Sequence, residues 1–212
     1  MRWKKALTIL AVLLALASAL AWWNRATLKR LAYGEGASRD EWQQPHRVLE
    51  ALALRPGDRV ADIGAGGGYF SFRFARAVGP EGRIYAVDVD RDMTTHMEKE
   101  AAARGLRNVS AILAAPDDPK IPEPVDLVFV SNTYHHITNR TEYFRRLRRQ
   151  LRPDGRLAII EYSGNNNWFA RTFGHKTDAS TIRSELEAAG YRLAEEHHFL
   201  PQQHFLIFSN AE

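Results

Sequence analysis

The sequence predicts an α/β fold: a doubly wound sheet, mostly parallel with an antiparallel final strand, preceded by an N-terminal hydrophobic helix. Three observations predict it. From residue 42 onward, short apolar runs alternate with segments of helical period, the pattern of strands joined by crossover helices with both faces of the sheet covered. A glycine-rich loop joins the first of these runs to the helix that follows. The last two runs stand five residues apart, too close for a crossover helix, so they pair antiparallel.

The elements follow in order. Ala6 to Trp23 is an 18-residue run whose only polar members are Thr8 and Ser18. As a helix at ~1.5 Å per residue it reaches about 27 Å, close to the ~30 Å of a hydrocarbon core. Arg2, Lys4 and Lys5 precede it, Trp22 and Trp23 close it at headgroup level, and Arg25, Lys29 and Arg30 follow. The small residues Ala17-Ser18-Ala19 also fit a cleavable leader. Residues 1–30 are therefore expected to be a membrane anchor, making contact through residues 6–23, or a signal segment. Residues 31–47 form a linker or lid containing Tyr33, Trp42 and His46, with Trp42-Gln43-Gln44-Pro45 as its latch.

Residues 48–212 make the globular domain. A helix through Val48, Leu49 and Leu52 ends before the turn cluster Arg55-Pro56-Gly57-Asp58. Strand Arg59–Ile63, helix Tyr69–Val78, strand Arg83–Asp88, helix Asp92–Arg104, strand Val109–Leu113 and strand Val125–Val130 follow. Helix Thr141–Leu151 turns Phe144, Leu147 and Leu151 inward and carries Arg145, Arg146, Arg148 and Arg149 outward. After the turn Pro153-Asp154-Gly155 come strand Arg156–Glu161, helix Thr181–Ala189 and the closing strands Tyr191–His198 and His204–Ser209.

Charge and composition narrow the function. The net charge of +4 comes from 29 Lys and Arg against 25 Asp and Glu, and six of those bases lie in residues 1–30, which hold no acid. Residues 31–212 therefore carry 23 bases against 25 acids, a net of −2, which argues against a nucleic-acid footprint on the folded body. The absence of cysteine excludes disulfides, thiolate metal sites and cysteine nucleophiles. No pair of histidines has the helical spacing of a zinc site, so no metal is expected. Oligomeric state is left open.

The segment Val60-Ala61-Asp62-Ile63-Gly64-Ala65-Gly66-Gly67-Gly68-Tyr69 follows a strand and opens a helix, the setting of a nucleotide-type cofactor site. A dinucleotide fits poorly. The residue five after Gly64 is Tyr69 rather than glycine, and Asp62 puts a carboxylate where a pyrophosphate would sit. A cationic ligand suits that carboxylate better: S-adenosyl-L-methionine carries an ammonium and a sulfonium against one carboxylate. Asp88 ends the second strand 20 residues past Gly68, where an acid accepts hydrogen bonds from a ribose.

On these motifs, residues 42–212 resemble the class I S-adenosylmethionine-dependent methyltransferases, a Rossmann-like family. The loop at 62–68 is similar to the family's first motif, Asp88 to its ribose-binding acid, and the closing strands to its antiparallel hairpin. The resemblance implies that Gly64, Gly66 and Gly68, with Tyr69 at the loop's end, line the methionine and ribose portion. It places adenine after the third strand. There the family often has an acid directly after the strand, whereas this chain reads Ala114-Ala115-Pro116-Asp117-Asp118, leaving Asp117 to serve from a shifted position.

The fourth strand ends in Ser131-Asn132-Thr133-Tyr134-His135-His136. A neutral amine or hydroxyl acceptor must lose a proton during methylation, and histidine is suited to take it. Either His135 or His136 is expected to be that base, with Asn132 and Tyr134 orienting the acceptor. His175 falls in a loop able to cover the acceptor, while His197, His198 and His204 belong to the closing hairpin. The expected function is methyl transfer to a small or lipid-soluble acceptor at a membrane, with the domain facing the cytoplasm. A tethered protein or RNA methyltransferase, a cofactor-binding module without turnover, and export after leader cleavage are the alternatives.

Overall fold

The computed structural model describes residues 2–25, 27, 39–163 and 176–211. Helix α1 (Arg2–Trp23) leads the chain, with Leu7, Ile9, Leu13, Leu16, Leu20 and Trp22 exposed along it. The expectation of a membrane span is not supported: among the described residues no helix is long and apolar enough to cross a membrane. Tyr33, Lys29, Arg30 and His175 lie outside the described residues, as do the side chains of Arg2, Lys4 and Lys5.

The expected helix around Val48 is two helices, α2 (Arg39–Gln43) and α3 (Pro45–Leu52). They part at Gln44, whose φ of 43° is left-handed, because Pro45 disfavours a helical residue before it while starting a new helix well. The domain continues with β1 (Arg59–Ile63), α4 (Ser71–Val78), β2 (Arg83–Asp88), α5 (Arg91–Ala103), β3 (Val109–Leu113) and β4 (Val125–Ser131). Asp90 caps α5, its carboxylate accepting from Asp92 N at 2.8 Å. After a single 3-10 turn at Tyr134–His136 come α6 (Arg140–Leu147), β5 (Leu151–Tyr162), α7 (Ala179–Ala188), β6 (Tyr191–His197) and β7 (Gln203–Asn210).

Among the described residues the strands form one seven-stranded sheet in the order β3-β2-β1-β4-β5-β7-β6, with β7 antiparallel to both neighbours. Alternate residues of each strand feed opposite cores. Leu127 and Phe129 of β4 pack with Phe70, Phe74 and Phe205; Val128 and Val130 pack with Phe144, Leu147 and Ile182. Each such buried side chain contributes about 1.5–3 kcal/mol. The strand order reverses between β1 and β4, so the crevice of the fold opens above Ile63 and Ser131.

Two expectations need correction. Helix α6 stops at Leu147 rather than Leu151, giving way to a 3-10 turn at Arg148–Gln150. The predicted turn Pro153-Asp154-Gly155 is absorbed into β5, where the register against β4 shifts between Val125 and Leu127. Gly155 makes this irregularity possible: a Cβ there would lie 2.9 Å from Arg152 O and 3.0 Å from Val125 O. The arginines of this region serve the fold. Arg145 and Arg146 pair with Glu142, Arg148 donates to Ala211 O, and Arg152 holds Asp126.

Candidate active site

The glycine loop leaves β1 by a backbone path that side chains resist. Gly64 has φ 72°, and its amide and that of Ala65 donate to Val87 O at 2.8 and 3.0 Å. A Cβ on Gly64 would lie 2.1 Å from Thr133 Oγ1, so the loop and the end of β4 touch through bare backbone. Gly66 and Gly68 also have positive φ, 56° and 84°; Gly66 N donates to Asp88 Oδ2 at 2.9 Å. The other oxygen of Asp88 accepts from Asp90 N at 2.8 Å. Asp88 thus stands half-buried at the rim, its pKa raised chiefly by burial, with acceptor capacity left on a carboxylate of about four lone-pair sites.

Asp62 is not at the mouth of the loop, as expected, but beneath it. Strand alternation turns it toward α4, where it is 3 % exposed and accepts from Ser71 Oγ at 2.5 Å. Burial pushes its pKa up to about 7, against the opposing pull of the Ser71 hydrogen bond and the Arg39 charge. The domain therefore holds a carboxyl group under a bare-backbone bend that lacks full neutralisation by its own cations.

Tyr69 ends the loop with its side chain engaged elsewhere. Its hydroxyl donates to Asp40 Oδ1 at 2.6 Å, and its ring lies between the guanidinium carbons of Arg39 and Arg73, 3.8 and 4.1 Å from its centroid. Its ring and hydroxyl thereby brace α2.

At the end of β4, Asn132 takes a left-handed φ of 53° and closes a directed chain of side chains. Arg39 Nε donates to Gln43 Oε1 at 3.1 Å, Gln43 Nε2 to Gln203 Oε1 at 3.1 Å, and Gln203 Nε2 to Asn132 Oδ1 at 2.6 Å. Because a guanidinium only donates, it sets the polarity of all three amides and leaves the Asn132 amide as a donor. Gln43 also donates to Ser131 Oγ at 3.3 Å, Gln44 to Phe199 O at 2.9 Å, and Trp42 stacks on Tyr162 with ring centroids 6.0 Å apart. The segment Arg39–Gln44 is thereby fastened across the carboxyl ends of β4 and β5 and the amino end of the antiparallel β7.

His135 is half-buried with its side chain only 7 % exposed, and its Nδ1 lies 2.9 Å from Glu161 Oε2; His136 is exposed, its ring centroid 4.0 Å from that of His135. Both line a cavity of about 810 Å³ with Asp117, Thr138, Asn139 and Tyr143. Asp117 sits on the exposed tip of a tight turn at that cavity, on the side of the histidines.

Tyr134 is turned the other way. The 3-10 turn buries it completely, stacks it on Phe144 with centroids 5.2 Å apart, and gives its hydroxyl to Glu185 Oε2 at 2.7 Å; it packs the core and does not orient an acceptor. Burial drives its pKa upward, so it stays a neutral donor. Replacing Tyr134 with phenylalanine should cost about 1 kcal/mol in a denaturation experiment and leave cofactor affinity unchanged.

The structure brings Gly64 against Thr133 at the end of β4 and joins Gly66 to Asp88, while Asp62 lies buried on Ser71. His135 and His136 line the separate cavity of about 810 Å³, whose lining includes none of these groups. Sequence reasoning missed Glu161, Gln203 and Thr133, while Gln43 falls in the expected latch 42–45 and bonds Ser131 and Gln203. Glu161 carried a readable signal, a charged residue closing the apolar run Leu157–Ile160; Gln203 carried none. His204 stands opposite Glu161 in the β5–β7 register, and burial lowers its pKa, keeping it neutral. Among the described residues no group of three or more His, Asp or Glu is placed to hold a metal ion.

A family model described as a methyltransferase domain matches residues 54–198. The ubiquinone/menaquinone biosynthesis C-methyltransferase UbiE of Pseudomonas putida is 32% identical over 124 residues, covering 57% of this chain and 48% of its own. The chain spans about half the length of the curated relatives it matches. A SAM-dependent methyltransferase from Aquifex aeolicus superposes with a TM-score of 0.77 at 25% identity, covering 85% of this chain and 96% of that one. The CcbJ methyltransferase of Streptomyces caelestis shares the fold alone, with a TM-score of 0.66 at 15% identity over 79% of this chain and 89% of that one.

Proposed function

Since the chain belongs to the methyltransferase-domain family, with S-adenosyl-L-methionine as its cofactor, we propose that it methylates a small or lipid-soluble acceptor through a hydroxyl- or amine-bearing group. The observation that carries this reading is the buried, incompletely neutralised Asp62 beneath a bend of positive-φ glycines, with Asp88 at the rim. These groups fit the cofactor. The bare backbone admits it closely, Asp62 answers its positive charge, and Asp88 keeps acceptor sites for a ribose diol. When bound, it supplies an electrophilic methyl group for in-line displacement.

The chain's own residues do the remaining work. Asp62 favours the cationic end, Asp88 fixes the ribose, and the segment Arg39–Gln44 covers the crevice and keeps water from it. Asn132 offers an amide N–H to an acceptor oxygen. A histidine at the end of β4 takes the acceptor's proton, a contribution typically worth 10²–10⁴-fold. The UbiE relatives, named for C-methylation in quinone biosynthesis, support a quinol-type ring as acceptor. The exposed Leu, Ile and Trp side chains of α1 support a membrane setting, and cytosolic supply of the cofactor supports a domain facing the cytoplasm.

Incubating the full chain with methyl-labelled cofactor and either 1,4-naphthoquinol or a total lipid extract tests this. Label should enter the small-molecule fraction; label confined to protein or RNA contradicts it. Protease added outside intact cells should leave the domain uncut.

The charge on Asp62 gives a pH signature. Burial lifts its pKa from 3.8 to about 7, so between those values the folded chain holds a proton that the unfolded chain has lost. This contribution to stability is full below about pH 4 and is lost as pH rises through 7. The thermal midpoint of the cofactor-free chain should therefore fall between about pH 4 and 7, and Asp62→Asn should flatten that fall, as scanning calorimetry would show.

A further inference from the structure

β4 and β5 run side by side with Ser131 opposite Ile160, so the residues just beyond that pair meet at the carboxyl end of the sheet. Glu161 has no exposed surface there. A carboxylate in such a place is strongly unfavourable unless hydrogen bonds satisfy it. Tyr162 N donates to Oε1 at 2.8 Å, His135 N donates to Oε2 at 3.2 Å, and His135 Nδ1 lies 2.9 Å from the same Oε2.

Two backbone N–H groups, one on each oxygen, engage both oxygens as acceptors. The ring nitrogen facing Oε2 is then a donor, and the imidazole carries its proton on Nδ1. A neutral imidazole of that form has its lone pair on Nε2. The backbone bond adds a second constraint, because one carboxylate oxygen grips the main chain and the ring of the same residue. His136 is exposed and its backbone N donates to Thr133 O, outside this grip.

We propose that Glu161 is the positioning residue of the reaction, holding His135 as the Nδ1–H tautomer and so making its Nε2, rather than His136, the proton acceptor. This rests on reading the chain as a methyltransferase with a histidine base. In the step so assisted, the acceptor's X–H bond breaks and leaves its electron pair on the acceptor, which bonds the methyl group as the donor's methyl–sulfur bond breaks and that pair stays on sulfur, leaving a neutral thioether. The proton passes to Nε2 and then to water in the cavity that both histidines line. The imidazolium formed on the way stands 2.9 Å from a buried carboxylate, where charge stabilisation is strongest.

Two measurements on the full chain test the proposal. Nitrogen-15 NMR of the histidine rings should show His135 protonated on Nδ1 and bare on Nε2 in the wild type. In Glu161→Gln, one amide oxygen must serve donors that two oxygens served before. The tautomer preference should be lost, and methyl transfer to 1,4-naphthoquinol should fall by about 100-fold. Calorimetric affinity for S-adenosylhomocysteine should not change, which separates positioning from misfolding. A wild-type ring protonated on Nε2 overturns the proposal, whether or not the variant folds. So does a variant that keeps either the tautomer or the rate. A wild type that methylates no acceptor sinks the functional reading instead, and the tautomer still decides the positioning role.

Discussion

Gly64→Ala should collapse the cofactor cradle, lowering stability by about 2–5 kcal/mol and affinity for S-adenosyl-L-methionine by at least about 100-fold. Two costs combine. A φ of 72° is strained for any residue with a Cβ, at about 1–2 kcal/mol. The new methyl would also lie 2.1 Å from Thr133 Oγ1 and 2.7 Å from its Cβ, so the end of β4 must retreat, an overpacking cost of about 1–3 kcal/mol. Thr133 is two residues from His135, and its displacement reaches the reacting end as well. Gly57→Ala is the control. That glycine has φ 89° but open space around it, so its substitution should cost only about 1 kcal/mol and leave cofactor affinity intact. Urea denaturation and calorimetric titration measure both effects. Adding Thr133→Gly to Gly64→Ala should recover the steric part and leave the backbone strain.

His135→Asn should lower methyl transfer by about 10²–10⁴-fold with little change in cofactor affinity, whereas His136→Asn should cost less than about tenfold. The contrast follows from the geometry: His135 is held by a buried carboxylate, and His136 is exposed beside it. Single-turnover rates with labelled cofactor separate this loss from binding. A larger loss on replacing His136 would reverse the assignment.

Much of this was legible in the sequence, for physical reasons. Strand and helix periods are local, so the strands up to Asp88 and Leu113 are found where the apolar runs predict them, and the closing hairpin pairs as its short connection requires. The glycine loop is legible because only bare backbone tolerates its path. Other features depend on contacts across the chain. Gln43 and Gln203 meet over a separation of 160 residues, which no spacing rule detects. Tyr134 faces the core because a 3-10 turn rotates it away from its neighbours. Asp62 lies under the loop because strand alternation sets its face, a detail that the motif alone does not resolve. Glu161 pairs with His135 because β4 and β5 are neighbours in the sheet, a fact of topology.

The central claim is that a buried acid beneath a glycine bend selects a cationic methyl donor. Calorimetric titration of the full chain with S-adenosyl-L-methionine, and separately with NADH, tests it most directly. The account predicts saturable binding of the first, with proton release near pH 7 as Asp62 ionises beside it, and no binding of the second. Tight NADH binding with no heat from S-adenosyl-L-methionine would contradict it.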